Sequence, residues 1–307
     1  MSILRSDSRT EADVRTLTMC MSVLSRSDGS GQFSFGDLKA LSSVNGPAEV
    51  RIRDEKPTES FVEVHVVPVC GLPGPPMKSL AYSIKQFFAP LILVKKYPRS
   101  LIQINLQTLA KPSDRWTTSF STESPEQTKV NLVDEIQSVT EKAALINAAS
   151  LALMDSGICM RGCGFAVGVA IIPSSAAALN QTQDSSNQAD HVVLDPNPAE
   201  ESSAKSLHLI GVHFGHLFNT PSSSGDNIGR VTLCESNGTF DYEQLQTVLK
   251  YASLATQQIH AFVRRSCETV YQEQEENNNY SELTGQPSAA LNTNTSSESR
   301  KKKKKNK

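Results

Sequence analysis

Glu200 and Glu201 are adjacent carboxylates, the residue type that general acid catalysis demands, although an acidic pair in a loop reads first as a solvated face. Lys78 and Lys85 stand seven apart, a spacing that suits the wet stripe of an amphipathic helix as well as a contact with phosphates. Lys95, Lys96 and Arg99 follow within one loop length. His213 and His216 are three apart in a strand-like context without the helix and glutamate of a metalloprotease pair, so both read as core or surface histidines. The six cysteines form no CxxC pair and have no Cys/His spacing suited to tetrahedral zinc, which leaves buried reduced thiols and predicts neither metal nor cofactor. A Walker loop and a Gly-x-Ser-x-Gly elbow are both absent; Asp28-Gly29-Ser30-Gly31 is too short to cradle a nucleotide.

Charge narrows the classes further. Arg300, Lys301, Lys302, Lys303, Lys304, Lys305 and Lys307 hold seven positive charges, so the first 299 residues carry 23 basic against 32 acidic residues, a net −9. Such a body does not bind a polyanion over its whole surface; any RNA contact must be local or shared with partners. The compact terminal run suits nuclear import better than nonspecific RNA attraction. The longest apolar run, Phe165 to Ile172, falls short of the ~20 residues that span a bilayer, and no apolar signal core opens the chain, which predicts an intracellular protein with no membrane partner.

The elements that must position these residues follow from periodicity. Residues 1–14 are polar without period and are expected to be flexible. Phe61 to Val67 and Leu101 to Leu109 alternate as half-buried strands, and Met77, Leu80, Ile84, Phe87 or Phe88, and Leu91 recur at three and four between them, giving strand, helix, strand with a stop near Pro90. Val139 to Ser156 is apolar almost all round, the pattern of a buried central helix, with Gly157 as its cap. Gly164 to Ile172 reads as a strand covered on both faces. Strands resume at His191 to Asp195, Leu207 to Phe214 and Gly229 to Glu235, before a long helix striped by Leu245, Val248, Ala252, Ala255, Ile259 and Phe262. Asp241 with Gln244 makes a capping pair at its start. Residues 111–137 and 174–190 show neither period and are expected as mobile insertions. Composition turns to Glu, Asn, Ser and Thr near Gln272, so a disordered tail over 269–307 is expected.

Four stretches, taken in order, resemble the ribonuclease PH family. They are a hairpin strand from Gly36 to Glu49 ending in the turn Asn45-Gly46-Pro47; Tyr97-Pro98-Arg99-Ser100-Leu101; Ala143 to Gly157; and Asp195-Pro196 with Glu200-Glu201. The resemblance spans residues 15 to 268. It implies an α/β (α+β) fold with βαβ units of the ribosomal protein S5 domain 2-like type, one domain over 15–268 carrying the two insertions. Among family members the chain looks most like the small-branch ring subunits of the RNA exosome.

Family chemistry is phosphorolysis, in which phosphate attacks the 3'-terminal phosphodiester and a nucleoside diphosphate leaves. Arginines and helix N-termini hold the anions, and a carboxylate acts as general acid or positions a metal. In the turn Arg26-Ser27-Asp28-Gly29-Ser30, serine stands where catalytic members place their second arginine. The loop that reads Asp-Gly-Gly-Thr-Arg in catalytic members reads Ser138-Val139-Thr140-Glu141-Lys142, where Glu141 would repel phosphate and Lys142 keeps charge without a bidentate fork. The catalytic aspartate position falls near Ser206 or Leu207. The resemblance therefore implies a non-catalytic exosome ring subunit serving 3'-to-5' RNA processing and decay, including that of ribosomal RNA. Implied partners are other ribonuclease PH-like subunits, RNA-binding cap subunits and single-stranded RNA in a shared channel, in the nucleus, nucleolus and cytoplasm. Lys78, Lys85, Arg99 and Lys142 are the RNA-contact candidates. An active but degenerate phosphorolytic exoribonuclease and a free RNA-binding protein stay open as alternatives.

Overall fold

The computed structural model describes residues 5, 7–69, 72–112, 138–173, 190–215, 220–221 and 227–284. The terminal run 300–307 and, apart from Lys111, Pro112 and Asp190, both expected insertions lie outside the described residues. The chain divides into two units, Met1–Arg264 and Arg265–Lys307.

Five strands make the first sheet: β1 (Leu17–Met21), β2 (Gly29–Phe35), β3 (Leu38–Glu49), β4 (Phe61–Val67) and β5 (Ser100–Ala110), in the order β1-β2-β3-β5-β4. All neighbours are antiparallel except β4 and β5, which run parallel because α1 (Pro75–Phe88) carries the chain back between them. The alternation seen in the sequence sets that register: Val62, Val64 and Val66 pair with Ile102, Ile104 and Leu106, and all six are buried. Gly46-Pro47 departs from expectation. The strand does not stop there; its register with β5 slips between Asn45 and Ala48, and β3 runs on to Glu49 as a bulged strand.

The second sheet holds β6 (Cys163–Ile172), β7 (His191–Leu194), β8 (Ser206–Phe214) and, after the short pair β9 (Thr220–Pro221) and β10 (Asn227–Ile228), β11 (Arg230–Gly238). Its order is β11-β8-β6-β7, antiparallel throughout. Between the two sheets runs α2 (Val139–Asp155). It meets β2 so closely that a Cβ on Gly29 would lie 2.4 Å from the Ala152 carbonyl oxygen. On its other side the Asn147 amide donates to the Ala166 carbonyl at 3.0 Å and accepts the Ala166 N–H at 2.8 Å, tying the helix to β6. A helix clamped by sheets on two sides must be apolar all round, which explains its weak amphipathicity.

The short α3 (Pro198–Ser203) links β7 to β8, and α4 (Tyr242–Thr284) follows β11. The first half of α4 covers the outer face of the second sheet: Val248, Ala252, Ala255 and Ile259 are buried, and His260 stacks on Phe214 with centroids 4.6 Å apart. The Asp241 N–H donates to the Gln244 side chain at 2.9 Å, as the capping pair predicts. The expected tail boundary moves: the helix continues through Thr284, past Gln272, and its last part belongs to the second unit.

The N-terminal segment also differs from the flexible arm expected. Among its described residues, the Arg5 guanidinium is fully buried and Leu194 donates its N–H to the Glu11 carbonyl at 2.9 Å. Ion pairing and backbone bonding, invisible to periodicity, hold this segment on the second sheet.

Candidate functional site

The start of α2 is the natural place for an anion, because its first N–H groups have no intrahelical acceptors and the macrodipole favours negative charge. Ser138 caps it, accepting the Glu141 N–H at 3.3 Å. Strand β6 presses against this turn; a Cβ on Gly168 would lie 3.1 Å from the Thr140 nitrogen.

One oxygen of Glu201, delivered by α3, occupies that position. Glu201 Oε1 accepts from the Ser138 hydroxyl at 3.0 Å, the Thr140 N–H at 3.3 Å and the Thr140 hydroxyl at 3.2 Å. The chain's own carboxyl thus sits on the donors that an external phosphate would need. Neither Glu200 nor Glu201 is the solvated face that composition suggests. Glu200 receives the Arg5 guanidinium in a bidentate pair at 2.9 and 2.8 Å, and also accepts the Asn197 N–H at 2.8 Å.

Arginines complete the surround without lining an open slot. Arg15 makes a bidentate pair with Asp195 at 2.7 and 2.6 Å, and its backbone N–H donates to the same carboxylate at 2.9 Å. Arg9 approaches Asp195 Oδ2 at 3.4 Å. Arg5 also donates to the Leu194 and Asp195 carbonyls at 3.0 Å each. Every positive charge here is matched by an internal carboxylate.

Glu141 does not face a phosphate position, contrary to the repulsion expected from sequence. Its side chain is buried toward β5, accepting from the Thr108 hydroxyl at 2.6 Å and pairing with Lys111 at 2.9 Å. Spacing alone puts Glu141 where a capping box would turn it back on Ser138, yet only the serine half is used. Lys142, on the same turn, lies 3.9 Å from Glu235 of β11. Glu235 pairs in register with Leu209, so Leu207, two residues along the strand, shares its side of the sheet with an alkyl side chain. Ser206 points the other way, and its hydroxyl meets His208 Nε2 at 3.0 Å. Neither residue supplies a carboxylate.

The remaining candidates sit on separate elements. Lys78 and Lys85 lie along α1, Lys85 with its ammonium 4.8 Å from the Phe61 ring centroid. Arg99 stands at the entry to β5 in a left-handed conformation with φ 57°, exposed, its Nε 3.3 Å from Glu55. Nothing brings these three to the α2 turn where Lys142 sits. The Arg5, Arg15, Asp195 and Glu201 network was not visible in the sequence, since its partners are some 180 to 195 positions apart. Three arginines in an otherwise featureless N-terminal stretch were the one available hint. Among the described residues, no cluster of His, Cys, Asp and Glu is arranged to hold a metal, and no helix is long and apolar enough to cross a membrane.

Burial pushes the Glu201 carboxyl up to about 7, against the hydrogen bonds from Thr140 and Ser138 and the charge of Arg15. The unfolded chain releases this proton near pH 4.5, whereas the folded chain keeps it to about 7. The contribution is therefore fully present below 4.5 and lost as pH rises through the folded value, on the order of 3 kcal/mol. His213 works in the opposite sense, because burial lowers it from 6.5 to about 4 and its penalty grows as pH falls through that window. Glu201→Gln should remove the first effect and leave the second. Urea unfolding at a series of pH values should show the stability of the parent, relative to the variant, falling between about pH 4.5 and 8; a constant difference would mean that the carboxyl is not perturbed in the fold.

A family model described as "3' exoribonuclease family, domain 1" matches residues 13–159. The chain is 30% identical over 243 residues to the exosome complex component RRP46 of Saccharomyces cerevisiae, covering 79% of this chain and 91% of that one. It is 33% identical over 139 residues to the exosome complex component rrp46 of Schizosaccharomyces pombe, covering 45% and 50%. The crystal structure of rice (Oryza sativa) Rrp46 superposes with a TM-score of 0.63 and 20% identity, over 85% of this chain and 99% of that one, which is a likeness of fold. With two sheets clamping one buried helix, and with relatives matched over most of its length, the chain belongs to the ribonuclease PH family of 3' exoribonuclease domains.

Proposed function

We propose that the protein is a non-catalytic ring subunit of an RNA exosome, supporting 3'-to-5' processing and decay of RNA, including ribosomal RNA precursors. The observation that carries the inactive reading is Glu201 Oε1 on the Ser138 and Thr140 donors. The slot is closed in either protonation state, because the oxygen occupies the space, and an ionised Glu201 would also repel phosphate. The alkyl side chain at Leu207 and the placement of Lys142 beside Glu235 point the same way. Phosphorolysis must gather several anions at once, and an array already balanced by its own carboxylates has no charge to spare for them.

Its role in this reading is architectural. Other ribonuclease PH-like subunits flank it in a six-membered ring, RNA-binding cap subunits sit on that ring, and single-stranded RNA threads the shared channel toward a separate nuclease. Lys78, Lys85, Arg99 and Lys142 remain the candidates for touching that RNA. Affinity purification of the tagged protein followed by mass spectrometry tests the assembly. A stoichiometric set of ribonuclease PH-like and cap proteins is expected; recovery of the chain alone would overturn it.

The reading also places the protein in the nucleus and nucleolus as well as the cytoplasm, with residues 300 to 307 as an import signal. Deleting them should leave thermal stability and co-purification unchanged while reducing nuclear accumulation of a fluorescent fusion. Equal nuclear signal from both forms would remove the run from that role.

A further inference from the structure

The segment after α1 and the segment after α2 are held side by side by their backbones. Leu93 donates its N–H to the Cys159 carbonyl at 3.0 Å, Arg161 donates to the Leu91 carbonyl at 2.8 Å, and Ile92 bridges Met160. This pairing brings together two nucleophilic groups 63 positions apart in the chain, with the Lys96 ammonium donating to the Cys159 sulfur at 3.5 Å. Tyr97 stands beside them, its hydroxyl accepting the Cys159 N–H at 3.2 Å. None of the five described cysteines is fully buried, against the buried thiols expected from sequence. Cys159 is half-buried and Lys96 exposed, so a small reagent in water reaches both. Hydrogen bonds from Tyr97 and Lys96, together with the lysine charge, hold the Cys159 thiol below its ordinary value. A thiolate in an electropositive, partly exposed place is the form of cysteine that attacks oxidants.

We propose that Cys159 and Lys96 form a modification site for hydrogen peroxide, at which oxidation joins sulfur to nitrogen and staples the two segments together. The Cys159 thiolate attacks one peroxide oxygen; the S–O bond forms, the O–O bond breaks, and hydroxide leaves. That hydroxide takes a proton from the adjacent Lys96 ammonium and becomes water. The amine so freed attacks the sulfenic sulfur, the S–O bond breaks, and the hydroxyl departs with an amine proton as a second water. One peroxide thus converts thiolate and ammonium into a neutral sulfenamide and two waters, and a thiol reductant reverses the link. A nitrogen this near the sulfur competes with further oxidation to sulfinic acid. The link removes the Lys96 charge and ties the approach to β5, where Arg99 stands, to the segment that leads into β6.

Treatment of the reduced full-length protein with hydrogen peroxide, followed by peptide mass mapping, tests it. The parent should yield the Lys96 peptide joined to the Cys159 peptide, lighter than their sum by a pair of hydrogens, and dithiothreitol should separate them. The stapled protein should melt roughly 5 °C above the reduced one, because the link closes a long loop of chain. Lys96→Arg keeps the charge without a condensing amine. It should oxidise at about the parent's rate, stop as a sulfenic acid that dimedone traps, and show no rise in melting temperature. Lys96→Ala should slow oxidation of Cys159 by about threefold or more and leave the exposed Cys234 at the parent's rate. A parent in which Cys159 ends as sulfinic acid or in a disulfide, with no joined peptide, would overturn the proposal. Equal rates of Cys159 oxidation in the parent and Lys96→Ala would overturn it as well, because the lysine would then play no part in activating the thiol.

Discussion

Arg5→Ala should destabilise the protein by about 3–5 kcal/mol, a large share of the stability of any domain of this size. The guanidinium is fully buried and satisfies both oxygens of Glu200 together with the carbonyls of Leu194 and Asp195. Truncation would strand a carboxylate and two carbonyls in a site that water reaches poorly, and stranded groups cost far more than an intact pair contributes. Urea or thermal unfolding should report the loss directly. Because Arg5 bonds β7 and α3 at once, release of the strap should also loosen the support under Glu201. A variant that melts with the parent would mean that residues 5–15 do not pack on the second sheet in solution.

Asp195→Ala should cost a comparable amount, about 3 kcal/mol or more. This carboxylate is 1% exposed and takes a bidentate pair and a backbone N–H from Arg15, with Arg9 beside it. Its removal leaves the Arg15 cation part-buried with no direct partner. A double-mutant cycle of Asp195→Ala with Arg15→Ala separates the pair from its surroundings, with an expected coupling of about 1–3 kcal/mol. Additive losses would show that the two side chains do not act together.

Element identity was legible where burial imposes a period. The Val62, Val64, Val66 and Ile102, Ile104, Leu106 alternations found one another across a parallel pair, and α2 read as buried because two sheets enclose it. Boundaries set by conformation rather than burial were less legible: β3 continues through Gly46-Pro47 by bulging, and α4 runs on through a polar composition that predicts disorder. The residues of the candidate site divide the same way. That Ser138 to Lys142 open a helix could be read locally. That Glu201 would close over that helix, with Arg5, Arg9 and Arg15 returning from the far end of the chain, depends on tertiary contacts that no local pattern encodes. Glu141 illustrates the limit, since its side chain turns away from the helix start to meet Thr108 and Lys111.

The most direct measurement is product release from a short 3'-hydroxyl single-stranded RNA incubated with the purified protein, inorganic phosphate and magnesium. With Glu201 seated on the α2 donors and no carboxylate at Ser206 or Leu207, no nucleoside diphosphate should form, and adding phosphate should leave RNA length unchanged. Phosphate-dependent shortening of the RNA that disappears in Lys142→Ala would contradict the account, because it would mean that the slot opens and that Lys142 leaves Glu235 to hold the attacking anion.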